Sequence, residues 1–173
     1  VADRPPQASA AFTALIAPHL GAAYGLARWL VGNDADAEDV TQDACVRAFR
    51  HQADLRSAHA RAWLLTIVRR CCYTLLAARR GGALAPLDED EHPAPSDGPE
   101  RAALRADDAR LLNAAVAALP VEQREAFVLR ELEGLSYKEI AEVAGVPLGT
   151  VMSRLARARA QLQRALRPAR EEP

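Results

Sequence analysis

The stretch GTVMSRLARARAQL, residues 149–162, carries Arg154, Arg157 and Arg159 and no acidic residue. On a helix of about 3.6 residues per turn, Val151, Leu155, Ala158 and Leu162 recur at steps of four, three and four and form one apolar stripe. The opposite side is Thr150, Ser153, Arg154, Arg157, Gln161 and Arg164. Arginine forks can bond guanine edges or phosphates in pairs, and hydroxyl and amide groups can bond bases or backbone, so this face suits the major groove of DNA. An arginine-rich face taken alone is equally compatible with simple solvation. Its neighbours decide between the two. Ser136 and Glu139 have the spacing of a capping box, and Leu135 with Ile140 has that of a hydrophobic staple, so a helix starts firmly at Ser136. Gly145 can take positive φ where that helix ends, and Pro147 can open the next one. Two helices joined by so short a turn predict a helix-turn-helix with the arginine face on its second helix.

Other residues capable of chemistry lack the company that chemistry needs. The carboxylates from Asp88 to Glu91 lie in a Pro/Gly-rich stretch where nothing positions them for acid–base work. The histidines His19, His51, His59 and His92 show no metal-ligand spacing, and none of the cysteines Cys45, Cys71 and Cys72 has a partner at one. Cys71 and Cys72 diverge by about 100° on a helix, so packing is favoured over a dithiol for Cys71 on its apolar stripe. Trp29 and Trp63 read as core groups. No catalytic residue, metal or cofactor is expected, which argues against a hydrolase or redox enzyme.

The chain has 173 residues with 22 Lys+Arg against 23 Asp+Glu, so total charge names no partner. Its distribution does. Residues 148–170 hold six arginines and no acid, whereas residues 81–100 hold six acids and no Lys or Arg. Odd, unpatterned cysteines suggest a reducing compartment, no apolar run is read as approaching the roughly 18 residues of a bilayer span, and VADRPPQASA has no signal pattern. A soluble cytoplasmic protein is expected.

Apolar spacing of three and four throughout predicts an all-α protein. The stretch GGALAPLDEDEHPAPSDGPE has few residues able to pack and is expected to be a flexible acidic linker between two small helical domains. The expected division is 9–80, 81–103 and 104–168. In the first domain Phe12, Leu15 and Ile16 begin a helix, Pro18 opens a second, and Gly32 ends it. Asp34 or Asp36 is expected to cap the next, which has a small face of Ala37, Thr41, Ala44 and Ala48 opposite a polar face of Asp39, Gln42, Asp43, Arg47 and Arg50. A long helix follows, with Trp63, Leu64, Ile67, Cys71 and Leu75 as its expected main stripe and Leu65 and Leu76 hinting at cover on a second face. Pro120 begins a further helix that Gly134 should stop near Glu133.

Three segments in this order, DADAEDVTQDACVRAF, RAWLLTIVRR and LPVEQREAFVLRELEGLSYKEIAEVAGVPLGTVMSRLARAR, resemble the extracytoplasmic-function (ECF) sigma factors of bacterial RNA polymerase. The likeness runs from Phe12 to Leu166. It implies a region 2-like bundle at 9–80 and a region 4-like helix-turn-helix at 104–168, and a protein that directs promoter-specific initiation without being an enzyme. By the same likeness Asp39, Gln42 and Asp43 dock on core polymerase. Arg56, Ser57, His59, Arg61, Arg69 and Arg70 serve the −10 element, where bases are held out of the stack. Thr150, Ser153, Arg154, Arg157 and Gln161 read the −35 element. The linker would thread near the polymerase's active centre, with promoter DNA, core polymerase and an anti-sigma factor as partners and no stable homo-oligomer. Sequestration at the inner face of the membrane by that anti-sigma factor is compatible with a cytoplasmic protein. Met152 and Ala156 stand where the family often has basic or larger side chains, and Arg70 and Thr74 where it often has Asn or Asp. The competing reading is a stand-alone helix-turn-helix regulator, which would bind duplex DNA by itself, often as a dimer.

Overall fold

A computed structural model describes residues 6–55, 59–80 and 109–167, all of whose regular elements are helical. Helix α1 (Pro6–Ile16) passes through a 3₁₀ turn at Ala17–His19 into α2 (Leu20–Val31), followed by α3 (Asp34–Arg50) and α4 (Ala60–Arg80). After residues 81–108, which include the expected linker and lie outside the described residues, come α5 (109–117), α6 (Val121–Phe127), α7 (Tyr137–Ala144) and α8 (Leu148–Ala165).

The chain ends its helices where the sequence lets it. Gly32 (φ 90°), Gly134 (φ 66°) and Gly145 (φ 66°) all take left-handed backbone, at the ends of α2, the α6 segment and α7. The start of α3 differs from expectation. Asn33, in extended backbone, is the cap and accepts from the Asp36 amide at 2.9 Å. Asp34 and Asp36 are already helical and have other work: Asp34 accepts from Tyr24 Oη at 2.8 Å and Arg28 Nε at 2.5 Å, and Asp36 pairs with Arg79 of α4.

The segment Ala10–Val31 corrects the reading that no apolar run reaches membrane-spanning length: it is 22 residues long and 18 consecutive residues of it reach a mean hydropathy of 1.3, enough by length and composition. In the fold it is broken by the Ala17–His19 turn at Pro18, and α2 spends its apolar face on the core through Ala23, Leu26, Ala27 and Leu30.

The N-terminal block is an interlocked set of α2, α3 and α4. Ala37, Ala44 and Ala48 of α3 are completely buried, as the small-residue face predicts, and their size lets the helices approach closely. On α4 the buried stripe is displaced from the expected one: Leu64, Leu65, Val68, Cys71 and Cys72 are buried, whereas Trp63, Ile67 and Leu75 are half-buried. The reason is tertiary. The C-terminal block covers a second face of α4, and one continuous core runs from Leu26, Leu30, Leu64 and Leu65 to Leu129, Ile140, Val143, Val151 and Leu155. A smaller cluster of Val116, Leu119, Ala158 and Leu162 joins α5 to α8, with Trp29 of α2 packed against it.

Candidate nucleic-acid interface

The second helix of the helix-turn-helix is positioned from the first. Ser136 Oγ accepts from the Glu139 amide at 3.3 Å while Glu139 Oε2 accepts from the Ser136 amide at 2.8 Å, completing the predicted capping box. The Ser136 hydroxyl and amide hold the Glu139 carboxyl below its usual range. Leu135 and Ile140, the predicted staple pair, are both buried. Gly145 then turns the chain, Val146 N donates to Ala141 O at 3.1 Å, and Pro147 in extended backbone starts α8. Val151, Leu155, Ala158 and Leu162 are all buried, so the stripe read from the sequence seats α8 against α6 and α7.

This seating fixes the opposite face. Ser153 and Arg157 are exposed, Thr150, Arg154 and Gln161 are half-buried, and Met152 stands out at 53% exposure. Ser153 Oγ donates to Thr150 O at 2.9 Å, so its hydroxyl oxygen remains able to accept. Arg159 is drawn sideways to Glu131 at 2.6 Å. Arg154 is different. It lies 3.9 Å from Glu125, a carboxylate with 0% exposure, which makes it partly an internal cation.

Glu125 also gathers groups from the other block. Arg69 Nε donates to its Oε1, Tyr73 Oη donates to its Oε2 at 3.0 Å, and the Arg69 guanidinium lies 4.4 Å over the Tyr73 ring. Burial pushes the Glu125 carboxyl up, and the charge and hydrogen bonding of Arg69, with Tyr73 and Arg154, oppose that shift without cancelling it. Burial and the Glu125 charge push Tyr73 upward as well. Sequence reasoning missed Glu125 although a signal existed: Val121, Glu125 and Leu129 are spaced by four, so a helix running to Glu133 places the acid on its apolar stripe.

The remaining candidates divide. Arg61 pairs with Glu133 at 2.7 Å, while Arg70 and His59 are exposed. Arg56 and Ser57 lie outside the described residues. On α3, Asp39, Gln42 and Asp43 form an exposed face as predicted, with Asp43 bonded to Arg47 at 2.9 Å. Beside them Leu20, Tyr24, Glu38, Thr41, Gln42 and Cys45 line a shallow, mainly apolar depression. Among the described residues no cluster of His, Cys, Asp and Glu could hold a metal ion.

Comparison with known proteins agrees with this layout. The family description "Sigma-70 region 2" matches residues 15–81, and "Sigma-70, region 4" matches residues 109–162. The chain is similar to the ECF RNA polymerase sigma factor SigE of Mycolicibacterium smegmatis, 38% identical over 152 residues, covering 86% of this chain and 59% of that protein. It is 34% identical to the RNA polymerase sigma-H factor of Pseudomonas aeruginosa over 171 residues, covering 91% of this chain and 87% of that one. Among solved structures it is similar to the sigma factor RpoE of Bartonella quintana in complex with the anti-sigma factor NepR, with a TM-score of 0.77, 28% identity, and coverage of 92% of this chain and 98% of that one. Both blocks, the helix-turn-helix and the order of the motifs therefore fall under one heading, and the chain belongs to the ECF RNA polymerase sigma factors.

Proposed function

We propose that the two blocks divide promoter recognition between them within the family's activity, promoter-specific initiation by core RNA polymerase. Thr150, Ser153, Arg154, Arg157 and Gln161 on α8 read the −35 element. Arg56, Ser57, His59, Arg61, Arg69 and Arg70 hold the −10 element. Asp39, Gln42 and Asp43 dock on polymerase. The observation that carries this reading is the seating of α8: its whole apolar stripe is buried, which turns an acid-free face with exposed Ser153 and Arg157 outward. Exposed arginines bond phosphates and guanine edges, and the short Gly-Val-Pro turn sets the angle at which they meet the groove.

The apolar depression beside Gln42 supports docking through α3, because an exposed apolar floor with a polar rim is the composition of a protein–protein contact. The protein works in the cytoplasm, as its family does. An anti-sigma factor is its expected regulator, by likeness to the relative held by NepR, and retention at the inner face of the membrane follows where that regulator is membrane-bound. The domain functions run 9–80 for polymerase and −10 contacts and 104–168 for −35 contacts, with 81–103 as the tether.

Run-off transcription with purified bacterial core polymerase tests the reading. Template-specific transcripts should appear only when this protein is added. A stand-alone regulator would instead bind duplex DNA tightly by itself and leave core polymerase unstimulated.

A further inference from the structure

The outward side of α8 divides lengthwise into two edges of different chemistry. One carries the hydroxyl, guanidinium and amide groups of Thr150, Ser153, Arg154, Arg157 and Gln161. The other is Leu148, Met152 and Ala156, spaced by four and all exposed, with Leu148 at 48% and Met152 at 53%. None of these three side chains has a charge or a hydrogen-bond donor. The next polar group along that edge, Arg159, is held by Glu131 at 2.6 Å. Burial of Val151, Leu155, Ala158 and Leu162 turns both edges outward together. Two large apolar side chains one turn apart therefore stand in water beside a row of arginines, on a helix whose opposite side fixes it in place.

We propose that Met152, supported by Leu148 one turn earlier, selects thymine in the upstream promoter element by packing on the C5-methyl group that thymine exposes in the major groove. This rests on the assignment of α8 to that element. In the major groove guanine, cytosine and adenine show only donors and acceptors, whereas thymine adds an apolar group. A side chain that cannot donate a bond distinguishes the bases there through that methyl group. Set against the amino group of cytosine or the acceptors of guanine, Met152 would strip polar atoms of water and return no bond. Set against thymine, it covers one methyl group with another apolar surface, and its unbranched, polarisable chain can follow the position of the methyl. Selection then runs along both edges of α8 at once: the arginines bond guanine edges or phosphates, and Met152 fixes where a thymine must lie beside them.

The test uses holoenzyme assembled from the full chain and bacterial core polymerase, on a promoter fragment that supports run-off transcription. Each thymine of the upstream element, on either strand, is replaced in turn by deoxyuridine, which keeps base pairing and removes only the C5-methyl group. At one or two positions the wild-type holoenzyme should bind the uracil fragment about fourfold more weakly, as expected for the loss of one buried methyl group. Met152→Ala should bind the thymine fragment as weakly as the uracil one, and Met152→Leu should restore the preference. Met152 is exposed, so both variants should melt with the wild type. A thymine preference that persists in Met152→Ala would overturn the proposal, and so would the absence of any uracil effect in the wild-type holoenzyme. Arg157→Ala should weaken binding to the thymine and uracil fragments alike. Unchanged binding by Arg157→Ala removes the upstream assignment, whereas a loss with Arg157→Ala and no uracil effect in the wild type removes the thymine proposal alone.

Discussion

Arg69 and Glu125, 56 residues apart in the chain, meet as a hydrogen-bonded ion pair whose acid is completely buried. The pair joins α4 to α6 and so fastens the two blocks to each other. Removing one partner of such a pair leaves an uncompensated buried charge, which costs more than the pair itself contributes.

Arg69→Ala should therefore destabilise the protein by about 3 kcal/mol at neutral pH, read by urea unfolding. Glu125 is already raised above its ordinary value by burial, and loss of Arg69 raises it further. A folded-state carboxyl that binds its proton more tightly than the unfolded one stabilises the fold as pH falls through that raised value. The destabilisation by Arg69→Ala should accordingly shrink at mildly acidic pH. A cost that stays constant with pH would mean that Glu125 is not the group left unpaired.

On the proposed DNA face, Arg157→Ala should weaken binding to the upstream promoter element by about 1–3 kcal/mol, measured by filter binding of the polymerase holoenzyme. Met152, exposed at 53%, occupies the same surface without a charge. Met152→Arg should tighten binding and steepen its salt dependence by about one unit. An unaltered slope would place Met152 away from phosphate.

The capping box gives a local prediction. Ser136→Ala should cost about 1 kcal/mol in thermal or urea unfolding, because the Glu139 amide loses its acceptor at the start of α7. The Glu139 carboxyl is held below its ordinary value of 4.5 by the Ser136 bonds. Its contribution is complete above that value and is lost as pH falls through the lower folded value. The gap between the melting curves of wild type and Ser136→Ala should narrow in acid, where the bond from the Ser136 hydroxyl to the Glu139 carboxylate weakens, and should not close, because the lost bond from the Glu139 amide does not titrate.

Cysteine reactivity follows burial. Burial pushes the Cys72 thiol up to about 12 and raises Cys71 and Cys45 as well. Iodoacetamide at neutral pH should leave Cys72 unmodified in the folded protein and label it only on unfolding, as followed by mass spectrometry. Fast native labelling of Cys72 would contradict the packing of α4.

What the sequence made legible was what neighbours in sequence decide. The capping box of Ser136 and Glu139, the glycine stops at Gly32, Gly134 and Gly145, and the four-member stripe of α8 each depend on residues within a few turns of one another. What it concealed depends on the meeting of the two blocks. Leu65 hinted at a second covered face of α4 and is buried, but Cys72 is buried as well because the C-terminal block lies across α4, and no periodicity within α4 says what covers that face. At the start of α3, Asn33, Asp34 and Asp36 are all competent caps by chemistry, and the demands of Tyr24, Arg28 and Arg79 on the two aspartates leave the task to Asn33. Likewise Arg61 and Arg69 were recognisable as basic groups off the main stripe, but their acidic partners lie 72 and 56 residues away.

The end of α6 gives the clearest case of position set by a single residue. From Val128 to Leu132 the helix widens into a π turn, and the Glu133 amide donates to Val128 O at 3.0 Å, five residues back. The extra residue turns everything after it by about 100° relative to a regular helix. Glu131, within the turn, pairs with Arg159 of α8, and Glu133, just past it, pairs with Arg61 of α4. Deleting one residue from this turn would leave the composition of the segment almost untouched and point both acids elsewhere. In evolutionary terms, the coupling between the two halves of the protein is adjustable by insertion or deletion at this turn, without changing any residue of the proposed DNA-reading face.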